Sequence, residues 1–76
     1  MDEELKRSRK EIDKIDEKVI PLLEMRFRIA EDLGKHKRSL TDRDREEEIL
    51  SKTSSEHVKE VYKAIFKNSK KAMRRL

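Results

Sequence analysis

Residues 5–37 read LKRSRKEIDKIDEKVIPLLEMRFRIAEDLGKHK. In steps of three and four, Leu5, Arg9, Ile12, Ile15, Val19, Leu22, Arg26, Ile29, Leu33 and Lys37 fall on one face of a single helix. The stripe is apolar except at Arg9, Arg26 and Lys37. A cation facing a helical interior is costly to desolvate unless an opposite charge meets it, so something anionic is expected inside this bundle. The pattern predicts one helix from about Glu3 to about Lys37, roughly 50 Å long at ~1.5 Å per residue. Pro21 falls within it and is read as a kink rather than a break, because the stripe keeps its phase from Val19 through Leu22 to Arg26. Gly34 weakens the last turn.

Beyond this helix, Arg38, Ser39, Leu40 and Thr41 make the first turn. Thr41 or Asp42 can cap a short second helix reaching about Lys52, whose only strong apolar residues are Ile49 and Leu50. Residues 52–56 form the second turn, with Ser54 or Ser55 as the next cap. Helix 3 carries Val58, Val61, Tyr62, Ile65, Phe66, Ser69, Ala72, Met73 and Leu76 at helical spacing. With one glycine, one proline and few β-branched runs, the chain reads as all-α, three helices in a single domain over residues 1–76.

Composition adds a constraint. Hydrophobic residues are 33% and charged residues 50% of the 76, which would leave a lone compact monomer marginal, so oligomerisation is expected. Without cysteine there are no disulfides or thiolate metal sites, and no apolar run approaches the ~20 residues of a membrane span. MDEELKRSRK lacks the apolar middle of a signal peptide. The expectation is a soluble cytoplasmic protein with no membrane partner. The net charge of +4 and the tail Lys67, Lys70, Lys71, Arg74, Arg75 raise nucleic acid as a partner, but 17 acidic residues are interspersed and no recognition signature appears. These lysines read as a solvated helix face. His36 and His57 lie apart from other metal-ligand types at useful spacing, so no metal is expected.

Arg26 and Lys37, 11 residues apart, lie about three turns or ~16 Å from each other on one face, within reach of a common small anion. Arg9 precedes Arg26 by 17 residues, about 25 Å, too far for a small ligand to bridge along one helix. Arg9 is thus a structural cation or the contribution of another chain, and two antiparallel copies of helix 1 would bring it near Arg26 and Lys37. Asp42, Arg45, Glu46 and Ile49 share a face of helix 2, and Ser69 lies in the apolar stripe of helix 3. Taken singly, Arg45 with Glu46 can be a surface pair and Ser69 can bond back to the preceding turn. Taken together they describe a cationic pocket with acidic company.

These residues carry a family resemblance. Arg9 followed by KEIDKIDEKVIPLLEMRFRIAEDLGKHK, then DRDREEEIL, then IFKNSKKAM, resembles the small all-helical chorismate mutases over nearly the whole chain; IDKID, LLEMR, GKHK and DREEEIL are the most specific blocks. The resemblance implies an intertwined antiparallel homodimer and an isomerase (an intramolecular transferase) that rearranges chorismate to prephenate on the route to phenylalanine and tyrosine, with no cofactor. It makes Arg9 the cation donated across the dimer to a substrate carboxylate, Arg26 the main carboxylate partner within the chain, and Lys37 the contact to a carboxylate and the ether oxygen. Glu46 would accept from the substrate hydroxyl, Arg45 would order the pocket or bind a carboxylate, and Asp42 and Ser69 would complete the substrate contacts. Lys37, Arg26 and Glu46 are the implied catalytic set.

Two departures from the family pattern stand out. Where the family usually has glutamine or glutamate one turn after Ser69, this chain has Met73, a weak acceptor and no donor that reads as core packing. The link from Lys37 to Asp42 is also short. Related readings are an isochorismate pyruvate lyase in a similar cationic pocket, or a non-catalytic dimer that binds such ligands; Met73 favours the latter.

Overall fold

A computed structural model describes residues 2–36 and 42–74. Lys37, the turn 38–41 with its candidate cap Thr41, and Arg75 and Leu76 at the end lie outside the described residues. Helix α1 runs Asp2–Gly34, α2 Arg43–Leu50 and α3 Glu56–Met73, and the described residues hold no strand.

Local chemistry accounts for each boundary. Asp2, Glu3 and Glu4 occupy the first turn of α1, where carboxylates complement the exposed N–H groups and the positive end of the helix dipole. The helix continues through Pro21. A proline removes the N–H that residue 17 would otherwise receive, a loss the rest of a 33-residue helix absorbs. After Gly34 the chain tightens: Lys35 donates its N–H to the Asp32 carbonyl and His36 to that of Leu33, at 3.1 and 3.0 Å, ending the helix before the expected Lys37.

Asp42 is the cap of α2, its side chain accepting from the Arg45 N–H at 3.0 Å. This short helix stops at Leu50, two residues before the expected end, where the Ser51 hydroxyl donates to the Glu48 carbonyl at 2.6 Å. Ser55, rather than Ser54, caps α3 by accepting from the Val58 N–H at 3.2 Å, and its own N–H is held by Thr53 Oγ1 at 3.1 Å.

Among the described residues, packing is confined to one end of the molecule. α3 lies against the second half of α1 and touches α2. Ala30, Phe66, Ser69 and Ala72 are the buried residues at that contact. At Gly34 the two backbones come close: a Cβ built there would fall 2.6 Å from the Met73 carbonyl oxygen and 2.7 Å from its Cα. Glycine is the residue that allows such an approach. Arg26 meets Phe66 and Ser69 while Gly34 meets Met73, so the two helices advance in the same sense through the contact.

The first half of α1 stands clear of its own chain. Ile12 and Ile15 are 55% and 58% exposed, and Leu5, Val19 and Ile20 are exposed as well. The radius of gyration is 15.8 Å and the longest dimension 53 Å, against about 11 Å for the radius of a compact chain of this length. The face read from sequence as core is therefore largely uncovered within one chain, which is how a chain with so little apolar material can still carry a long apolar stripe.

Candidate functional site

The packed end encloses a cleft of about 270 Å³ where the three helices converge. From α1 come Arg26, Ile29, Ala30 and Leu33; from α2 and its cap, Asp42, Arg45, Glu46 and Ile49; from α3, Phe66, Ser69, Lys70 and Met73. Three cations and two carboxylates thus ring an apolar floor. The face of α2 read from its spacing, Asp42, Arg45, Glu46 and Ile49, turns as a unit into this cleft.

Arg26 is the most constrained of the charged groups. Its Nη1 donates to Ser69 Oγ at 2.6 Å, and its guanidinium carbon lies 5.9 Å from the centre of the Phe66 ring, within cation–π range. Tyr62 braces Phe66 from the preceding turn, their centroids 5.9 Å apart. Ser69 is only 5% exposed, and its hydroxyl donates to the Ile65 carbonyl at 2.8 Å while accepting from Arg26. The bond back to the preceding turn and the bond to Arg26 therefore coexist. With its one proton committed, Ser69 fixes the guanidinium and leaves the remaining Arg26 donors for other acceptors.

The two carboxylates are also engaged. One Asp42 oxygen accepts from the Arg45 N–H as the cap of α2. Glu46 Oε2 lies 3.2 Å from Lys70 Nζ, and both side chains are 27% exposed. Arg45 pairs with Glu48, not Glu46, at 3.2 Å on the exposed rim. Such a surface pair contributes about 0–1 kcal/mol and is readily exchanged for a ligand carboxylate.

Arg26, Asp42, Arg45, Glu46, Ser69 and Met73 are thus gathered in one cleft. Arg9 is not: it lies exposed on the free half of α1, away from the cleft of its own chain. Lys37 lies outside the described residues. Lys70 is the cleft residue that reads from sequence as part of the solvated face; its signal was the spacing Phe66, Lys70, Met73, which sets it on the buried side of α3 one step from Ser69. Among the described residues, no three histidines, cysteines, aspartates or glutamates converge as metal ligands, and no helix is long and apolar enough to cross a membrane.

A fixed guanidinium, two further cations and an apolar floor suit a small anionic ligand with a ring or hydrocarbon body. Comparison with curated proteins and with solved structures gives no match. The family model for chorismate mutase type II matches residues 8–74, a span that includes every described residue lining the cleft. The chain belongs to the type II chorismate mutase family.

Proposed function

We propose that the protein is a chorismate mutase that rearranges chorismate to prephenate in phenylalanine and tyrosine biosynthesis, working as a cytoplasmic homodimer. The observation that carries the reading is the Arg26 guanidinium, clamped by Ser69 and Phe66 at the wall of a cleft whose other charges come from α2 and α3. Family membership supplies the substrate class.

In this reading catalysis is positioning plus electrostatics. Arg26, with Lys37 and the partner subunit's Arg9, grips the two carboxylates and holds the enolpyruvyl arm over the ring, removing orientational freedom before the bonds change. The ether C–O bond breaks as the new C–C bond forms, and Lys37 opposes the negative charge growing on the ether oxygen. Glu46 accepts from the ring hydroxyl, Arg45 exchanges its rim partner for a carboxylate, and Asp42 keeps α2 in register. No nucleophile is called for.

The dimer is supported by the uncovered stripe. Leu5, Ile12, Ile15 and Val19 present on one helix the apolar area that a second copy running antiparallel would bury, and that arrangement moves Arg9 toward the partner's cleft.

Loss of chorismate absorbance on adding purified protein, with prephenate identified as product, tests the assignment. Turnover should fall by about 10²-fold or more in Arg26→Ala. A folded helical dimer without turnover would overturn the mutase reading and leave a ligand-binding module, the role that Met73 in the cleft wall favours.

A further inference from the structure

Among the described residues, the ion pairs Lys35–Asp32, Arg45–Glu48, Lys59–Glu56 and Lys63–Glu60 each span one turn of helix or its end. Lys70–Glu46 is different: it joins α3 to α2 in the lining of the cleft at 3.2 Å, with both side chains largely withdrawn from solvent. An ammonium has three N–H donors, and Glu46 occupies one of them. The remaining donors sit in the wall that already holds Arg26 and Ser69. One turn further along the same face, Met73 offers only a thioether, which donates nothing.

We propose that Lys70 is a substrate-facing cation of this cleft, and that it provides from α3 the N–H donor that Met73 cannot. The inference rests on the chorismate mutase reading and refines it. Glu46 would then have two tasks, holding the Lys70 ammonium in the wall and accepting from the ligand. Two charged groups on separate helices reach the reacting region together, so the α2–α3 junction becomes part of the chemistry rather than only a tie between helices.

The test is a cycle of Lys70→Met, Met73→Gln and the double variant, read by kcat for chorismate and by far-ultraviolet circular dichroism. Loss of one donor to a developing charge typically costs about 10²-fold in kcat, and that is the expected effect of Lys70→Met. Met73→Gln should raise kcat by at least about tenfold more in the Lys70→Met background than in the wild-type background, the non-additivity of two residues that serve one role. If Lys70 merely ties α2 to α3, the double variant will be as slow as Lys70→Met, and the proposal falls. It also falls if Lys70→Met retains kcat within about threefold of wild type, a change below that expected of a lost donor. Should Lys70→Met lose its helical signal, Lys70→Ala, which also removes the donor and has the best helix propensity, takes its place in the cycle with the same criteria.

A wild-type protein that leaves chorismate unchanged overturns the mutase reading itself. Lys70 is then judged by calorimetric titration with prephenate: at least about tenfold weaker binding in the variant upholds a ligand-facing ammonium, and equal or undetectable binding in both proteins overturns it.

Discussion

Replacing Ser69 by alanine removes one oxygen from the centre of the site, and each of its partners responds differently. The Ile65 carbonyl loses a second donor but keeps its helical one, so little changes there. Arg26 loses its acceptor at 2.6 Å, a hydrogen bond to a charged group of the kind worth about 1.5–3 kcal/mol. Because Arg26 is half-buried at the edge of an open cleft, water can take over part of that bond, which places the cost near the lower end, about 1.5 kcal/mol. Alanine returns up to about 0.5 kcal/mol through its better helix propensity. The net destabilisation is about 1 kcal/mol, or a fall of roughly 4–8 °C in Tm for a domain of this size. The functional loss should be larger than the stability loss suggests, since a guanidinium free to rotate no longer presents its fork to a carboxylate: about tenfold in kcat/KM, equivalent to about 1.4 kcal/mol. Thermal melts followed by circular dichroism and steady-state chorismate kinetics measure the two quantities separately. A variant with kcat/KM within twofold of wild type would show that Arg26 is oriented without Ser69 and would refute the clamp.

The remaining expectations concern assembly and packing. Ile15, 58% exposed in the single chain, has roughly 100 Å² to bury against a second copy, about 2.5 kcal/mol per chain. Ile15→Asp should therefore shift the protein to monomer in analytical ultracentrifugation at micromolar concentration, and an unchanged dimer would place the interface elsewhere. Gly34→Ala should lower Tm, because its Cβ would lie 2.6 Å from the Met73 carbonyl oxygen and the resulting separation of α1 and α3 costs about 1–3 kcal/mol. An equal or higher Tm would show that the backbones yield freely. Mixing equal amounts of inactive Arg9→Ala and Arg26→Ala proteins and allowing subunits to exchange should restore about a quarter of wild-type activity, since half the dimers are mixed and each has one intact site. A mixture as inactive as its components would remove the cross-chain role of Arg9.

Much of this architecture is legible in the chain because it is local. The stripe from Leu5 to Leu33 needs only helical periodicity to be seen, and residue type narrows the caps to Thr41 or Asp42 and to Ser54 or Ser55, the second of each pair being the described cap. Arg26 and Ser69 were readable as polar interruptions of apolar faces, and the structure joins them by a hydrogen bond. What pattern could not supply is the partner of each interruption. Lys70 looks like its neighbours Lys67 and Lys71 in sequence, and only the placement of α2 beside α3 gives it Glu46. Gly34 is similar: by propensity it weakens a helix end, whereas in space it lies where α3 approaches too closely to admit a Cβ. The stripe itself announced burial without saying which chain would do the burying.

The meeting of Gly34 with Met73 has a consequence for how this site can diversify. The Met73 atoms pressed against Gly34 are its carbonyl oxygen, Cα and Cβ, which every residue except glycine possesses. The close approach at Gly34 therefore rests on atoms common to nearly every residue type, while Met73 also stands in the wall of the cleft. Position 73 therefore behaves as an interchangeable fitting on a fixed bracket, where side chains of similar length can be traded to retune the chemistry while the frame stays in place. A lineage could lose or regain a donor there in a single step without disturbing the approach at Gly34.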